Sequence, residues 1–233
     1  MGIELGVERV MPIEVETKDC TALADAELAE MADLCAAATA GFDVGYLSKQ
    51  RDEWVLVTQA REKSKLRGFS FCTLERIGGT PALLVGVAAV DRIAKADQIL
   101  RQIMGDQYRR AVLAFPDEDV LVGTRLFSPT GFVVLAGLHD VIPRPGHKAS
   151  GEERAWGRRL AKRFGVESHL DDKTFVVSGD GSISGGVDFV STKAKLDEGI
   201  TDLFESVVSE RHDALVAFGW AMAEDLAKNK LGR

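Results

Sequence analysis

The chain has 233 residues, 45% of them hydrophobic, and 36 acidic against 29 basic residues give it a net charge of -7. This composition predicts a globular protein with a sizeable core. It argues against sequence-independent binding to nucleic acid, which needs an excess of Lys and Arg. Three widely spaced cysteines predict reduced thiols, and neither a signal peptide nor a membrane span is indicated. We therefore expect a cytoplasmic protein.

The first part of the chain alternates between strand and helix patterns. Strands are predicted where apolar residues alternate with charged ones or form short runs, and helices where apolar residues recur at helical spacing. A Gly78-Gly79 turn joins the third strand to the fourth as a hairpin. The predicted elements are strands at 13–17, 54–58 and 66–77, a helix from Asp25, and a short helix at 45–52.

The strongest pattern is a strand at 81–90 followed by a helix at 96–114. The strand is apolar on both faces, which is typical of a central strand covered by helices on each side. A strand that leads into a helix start presents unpaired N–H groups and the positive end of the helix dipole. The turn at 91–95 is therefore a predicted anion site, to which Arg92 and Lys95 add positive charge. The alternative is a plain connection with solvated charges.

The second part of the chain predicts further strands and helices. Ser128 caps a short helix that begins at Pro129. Residues 187–190 are predicted to pair back on a strand at 174–178, and amphipathic patterns predict two closing helices. The remaining elements are strands at 120–127 and 140–143, a basic helix at 151–164, and closing helices that carry Leu203 with Phe204, and Leu215, Phe218, Met222 and Leu226.

This order predicts an α/β (α+β) fold with a mixed central sheet and helices on both faces. Its domain would cover residues 1–180, and a C-terminal helical extension at 181–233 would pack on it. Over roughly residues 13–144 the order resembles the GNAT superfamily of acyl-CoA-dependent N-acyltransferases. Residues 90–96 resemble the family loop whose backbone amides hold the CoA pyrophosphate, and residues 124–129 resemble its fifth strand and the following helix start.

The resemblance implies transfer of an acetyl or other acyl group from acyl-CoA to an amine of unknown identity, on a small molecule or a protein. A backbone amide of the central strand would polarise the thioester carbonyl. The family loop begins with Gln or Arg and has Gly fourth, where this chain has Asp91 and Ala94, and Phe132 stands where the family often has a catalytic Tyr. These departures leave a non-catalytic GNAT-like binding or assembly module as the alternative. The implied cofactor-binding residues are Val90, Arg92, Ala94, Lys95, Ala96 and Ser128.

Glu75, at the end of the third strand, is a candidate general base for the amine, and the alternative is a surface carboxylate paired with Arg76. The four histidines show no metal-ligand spacing, so no metal is predicted. The basic face of the helix at 151–164 is predicted to be solvated, and the glycine-rich stretch at 179–186 lacks the Lys of a phosphate loop. We expect no nucleic-acid or membrane partner, and a homodimer is a candidate assembly.

Overall fold

A computed structural model describes residues 12–36, 40–191 and 198–232. Within these residues, nine strands form one mixed sheet. The strands are β1 (Glu14–Asp19), β2 (Leu56–Glu62), β3 (Lys65–Ile77), β4 (Thr80–Val90), β5 (Val120–Leu126), β6 (His139–Ile142), β7 (Val176–Val177), β8 (Val187–Asp188) and β9 (Ala214–Ala221). The helices are α1 (Asp25–Cys35), α2 (Val44–Glu53), α3 (Ala96–Ala114), α4 (Gly151–Arg163), α5 (Glu198–Asp202) and α6 (Ala223–Ala227), and a 3-10 helix covers Pro129–Leu135.

The strand order is β1-β2-β3-β4-β8-β5-β9-β6, and β7 pairs with β9 at the side of this path. Strands β1 to β4 are antiparallel neighbours, whereas α3 crosses over so that β5 runs parallel to β4. Helices cover both faces. The Thr17 hydroxyl donates to Asp106 of α3, while the next residue, Lys18, donates to Glu27 of α1, and successive strand residues point to opposite faces.

Strand β4 forms the centre of the core because both of its faces are apolar. All of its residues after Thr80 are buried. Gly86 lets the Trp54 ring lie directly against the strand, since a Cβ there would be 2.0 Å from two ring atoms. The predicted mixed α/β sheet with helices on both faces is therefore confirmed. The predicted helix α3 is confirmed over its full length, and the three cysteines are buried and free, as predicted.

Two expectations for the second part of the chain are wrong. The predicted last helix, with Leu215 and Phe218 on its stripe, is strand β9, which pairs with β5 over seven residues. A short apolar run that is buried on both faces has the same composition in a strand and in a core helix, so periodicity cannot separate them. Residues 187–190 do not pair back on β7, since β8 lies between β4 and β5.

The strands β8 and β9 join the same sheet as the strands before residue 181, so the helical extension predicted for 181–233 is wrong at those strands. Short helices α5 and α6 do occur there. Residues 1–11, at the start of the predicted domain, and residue 233, at the end of the predicted extension, lie outside the described residues. Within the described ranges, no helix is both long enough and apolar enough to cross a membrane.

Candidate functional site

A crevice between parallel strands is the usual place for a ligand in an α/β sheet, at the carboxyl ends of the strands. Strands β4 and β5 pair from Ala82 and Leu121 up to Val85 and Thr124. Beyond that point they no longer pair with each other, and β8 lies between them. Residues 185–189, which we call the inserted segment, therefore occupy the crevice beside the start of α3.

The inserted segment is held by contacts on both sides. The Ala88 N–H donates to the Gly186 carbonyl oxygen at 3.1 Å, and the Ser128 and Thr130 hydroxyls donate to the Phe189 carbonyl oxygen at 3.1 and 2.6 Å. Val187 and Phe189 are 0% and 1% exposed. The sequence expectation placed Ser128 among cofactor-binding residues, and here its hydroxyl contacts the inserted segment instead.

The turn at 91–95 leads directly from β4 into α3, as predicted, but two nearby amides already have partners. The Asp91 N–H donates to the Arg67 carbonyl oxygen at 2.8 Å, and the Ala96 N–H donates to the Ile93 carbonyl oxygen at 2.9 Å. Ala96 is buried, while Arg92 and Ala94 are exposed. A pyrophosphate that used the Asp91 or Ala96 amide would have to displace one of these bonds.

The positive charges of the turn are matched by acids. Lys95 lies 2.6 Å from Glu62, and Arg67 lies 3.0 Å from Glu62 and 2.7 Å from Asp91. The hydrogen bond from Lys95 is the largest cause that holds the pKa of Glu62 below its usual value, and Arg67 adds to it. Arg92 lies 3.9 Å from Asp188 of β8. The turn is thus electrostatically balanced while the inserted segment is in place.

An acid also occupies the first turn of α3. Asp97 is 7% exposed, its Oδ1 accepts a hydrogen bond from Ser191 at 2.7 Å, and its Oδ2 has no partner among the described residues. A carboxylate at this position is favourable to the helix dipole. It also competes for the positive potential on which a bound phosphate would depend.

Glu75 does not reach this turn. It pairs in register with Ala82, whereas Gly68 of the same strand pairs with Val90 at the turn. Their partners Ala82 and Val90 are eight residues apart on β4, which is about 26 Å at ~3.3 Å per residue. The Glu75 carboxylate accepts a hydrogen bond from Arg163 of α4 at 2.7 Å, not from Arg76. Its position argues against a role as base for a reaction at the crevice.

Sequence reasoning missed two polar residues beside the inserted segment, Arg125 and Tyr46. A Cβ added at Gly185 would lie 2.2 Å from an Arg125 Nη and 3.0 Å from the Tyr46 hydroxyl oxygen, so both groups border the segment closely. Arg125 is 5% exposed, and its guanidinium lies 5.0 Å from the Phe164 ring centre. The available signal was one charged residue inside the otherwise uncharged strand Val120–Leu126.

The basic face of α4 forms surface contacts and does not converge on the crevice. Arg158 forms an ion pair with Asp172, and the Arg159 guanidinium lies 4.6 Å from the Trp156 ring centre. No group of three or more His, Cys, Asp or Glu residues that could hold a metal ion occurs in the described part of the chain. The crevice and its inserted segment are therefore the candidate site.

No protein-family model matches the sequence, and no curated protein matches it. Several of the solved structures that match are acetyltransferases. The chain is 13% identical to an aminoglycoside 6'-N-acetyltransferase from Enterococcus faecium, with 48% of this chain and 61% of that chain covered and a TM-score of 0.39. It is 13% identical to the ribosomal-protein-S18-alanine N-acetyltransferase from Escherichia coli, with 60% and 86% covered and a TM-score of 0.37.

A third match, to an acetyltransferase of the GNAT family from Streptococcus pneumoniae, has 11% identity, 60% and 92% coverage and a TM-score of 0.36. The sequence resembles the same superfamily. The chain thus spans 61% of the length of the Enterococcus protein and most of the other two. At these identities and TM-scores, the matches carry no argument about activity, which rests on the geometry of the crevice.

Proposed function

We propose that the protein transfers an acyl group from an acyl-CoA to an amine, and that the acyl-CoA enters the crevice between β4 and β5. One observation carries this proposal. The two parallel strands stop pairing after Val85 and Thr124, beside the start of α3, and only a short segment of the chain fills the gap between them. A gap of this kind at the carboxyl ends of parallel strands is where α/β sheets bind ligands.

The crevice does not fit an acyl-CoA while the inserted segment is in place. Displacing the segment frees the Ala88 N–H, which now donates to the Gly186 carbonyl oxygen at 3.1 Å. That amide would then be available to the thioester carbonyl oxygen, where a fixed donor stabilises the developing negative charge. Displacement also moves Asp188 away from Arg92.

In the reaction, the neutral amine attacks the thioester carbonyl, a C–N bond forms and the C–S bond breaks. The amine nitrogen loses one proton to water, and the leaving thiolate gains one from a side-chain acid, which water then protonates again. Tyr46 borders the inserted segment and is the described hydroxyl that we assign to protonation of the thiolate. Burial, only partly offset by Arg125, raises the pKa of Tyr46 to about 12, so it carries its proton at neutral pH.

Calorimetric titration of the full chain with acetyl-CoA and with CoA tests the binding step, and mass spectrometry of a panel of primary amines tests the transfer. We expect binding in the native protein and tighter binding in Asp91→Asn, because this change removes a negative charge from the turn and leaves Arg67 paired with Glu62 alone. Glu118→Gln is the matched control, since it releases Arg76 on the surface. The proposal is contradicted if neither the native protein nor Asp91→Asn gives a measurable heat of binding.

The second candidate function is a non-catalytic binding or assembly module with the same fold. The inserted segment favours it, because this segment fills the crevice with the buried side chains of Val187 and Phe189. Under this alternative the segment stays in place, and no variant that loosens it gains affinity for CoA. The homodimer and the cytoplasmic location remain predictions.

A further inference from the structure

A second cavity, of about 190 Å³, lies beside the crevice. Its walls come from the end of α4, from β7, and from the loop between β7 and the inserted segment. One permanently charged base, Arg125, lines it from strand β5, and hydroxyl groups line it from the loop. The polar side chains of the wall are Arg125, His169, Ser178, Asp180, Ser182, Ser184 and His212.

Arg125 is the unusual member of this wall. It is 5% exposed, its guanidinium donates no hydrogen bond to a described residue, and its Nε is buried without a partner. No carboxylate of the described chain forms an ion pair with it, although Phe164 covers one face at 5.0 Å. A buried charge without a partner is strongly unfavourable, so proteins normally pair it.

Burial, partly offset by the charges of Tyr46 and Glu53 at longer range, lowers the pKa of Arg125 to about 10, which still leaves the guanidinium charged at neutral pH. The one acid of the cavity wall does not compensate it. Asp180 accepts hydrogen bonds from the Ser182 N–H at 2.9 Å and from the Ser182 hydroxyl at 2.5 Å, within its own loop. The charge of Arg125 is therefore available to a ligand that enters the cavity.

We propose that this cavity binds a small organic carboxylate, whose oxygens accept hydrogen bonds from the Arg125 guanidinium and from the Ser178 hydroxyl. A guanidinium matches a carboxylate in charge and in planar geometry. A volume of about 190 Å³ suits an acid of a few carbons. This inference does not depend on acyl transfer at the crevice.

A carboxylate fits better than a phosphate because the wall supplies one permanent positive charge and also contains Asp180. A dianion would be left partly uncompensated and would be repelled by that carboxylate. The cavity also adjoins the inserted segment, since a Cβ at Gly185 would lie 2.2 Å from an Arg125 Nη.

Thermal unfolding of the full chain tests this inference with acetate, succinate and glutamate, and with inorganic phosphate at matched ionic strength. We expect at least one carboxylate to raise the melting temperature saturably, and phosphate to leave it unchanged. Arg125→Met removes the charge at similar volume and should abolish the response. Arg159→Met is the matched control, because it removes an exposed arginine on the surface of α4, and it should respond as the native protein does.

A second variant protects the test if Arg125→Met fails to fold. Ser182 is exposed at the cavity wall, so Ser182→Trp should fill the entrance without disturbing the core and should also abolish the response. The inference is overturned if no carboxylate gives a saturable shift, or if Arg125→Met or Ser182→Trp responds as the native protein does. Stabilisation by phosphate in place of the carboxylates would overturn the assignment of ligand class.

Discussion

Shortening one side chain of the inserted segment should strengthen acyl-CoA binding while it weakens the fold. Val187 is fully buried between β4 and β5. Val187→Ala deletes two methyl groups, which removes about 1.6 kcal/mol of burial at ~0.8 kcal/mol per group. The state with the segment in the crevice, which we call the seated state, loses this stabilisation. The displaced state, with the segment out of the crevice, does not lose it, because in that state the Val187 side chain already faces water.

The native affinity sets the baseline for this experiment. Val187 and Phe189 each contribute about 1.5–3 kcal/mol to the seated state. The displaced state is then disfavoured by about 3–6 kcal/mol, and the apparent affinity for acyl-CoA falls by about 10²–10⁴-fold. Val187→Ala should recover about 14-fold of this loss, since 1.4 kcal/mol corresponds to a factor of ten.

Calorimetry with acetyl-CoA measures the affinity, and urea unfolding measures the stability. Val57→Ala is the matched control, because Val57 is equally buried but lies on β2, which pairs with β1 and β3. Both variants should lose about 1.6 kcal/mol or more of unfolding free energy, and only Val187→Ala should bind more tightly. Equal acetyl-CoA affinity in the two variants would refute the reasoning.

Three further predictions concern the rest of the fold. Removing residues 199–233 deletes β9 from between β5 and β6, so a soluble truncated protein with a cooperative melt would contradict the described sheet. Reversing Arg158 and Arg159 to Glu should change the unfolding free energy by less than about 1 kcal/mol and leave acetyl-CoA affinity unchanged; a loss of affinity in calorimetry would place an anion site on α4. Burial alone would raise the pKa of Glu27, but hydrogen bonds led by Lys18 lower it to about 2. The ionised Glu27 therefore stabilises the fold above about pH 4.5, and this stabilisation is lost as the pH falls towards 2. Between these pH values Glu27→Gln should lose less unfolding free energy than the native protein does. Identical pH profiles of stability would contradict this.

The central unit of the fold could be predicted because its signals are local. An apolar run on both faces marks β4, and helical spacing with a long regular stripe marks α3. Neither inference needs to know what lies next to these elements. Because β4 and α3 are both predicted, the turn that connects them is predicted as well. The structure places Arg92, Ala94 and Lys95 in this turn, as expected.

The crevice could not be predicted because it depends on contacts between distant parts of the chain. Nothing in the glycine-rich sequence around Gly186 indicates that it enters the gap between two strands far earlier in the sequence. A Cβ at Gly186 would lie 2.8 Å from the Phe127 ring and 3.0 Å from the Arg125 carbonyl oxygen, so any larger residue there would have to displace a neighbour. Likewise, β9 has helix-compatible spacing, and only its pairing with β5, β6 and β7 identifies it as a strand.

Hydrogen exchange of the full chain, with and without saturating acetyl-CoA, tests most directly whether the inserted segment leaves the crevice. We expect faster exchange for amides of residues 185–189 and slower exchange for the turn at 91–95, because the segment is displaced as the turn binds phosphate. An unchanged or slower exchange of residues 185–189 under conditions where calorimetry shows acetyl-CoA to be bound would contradict it.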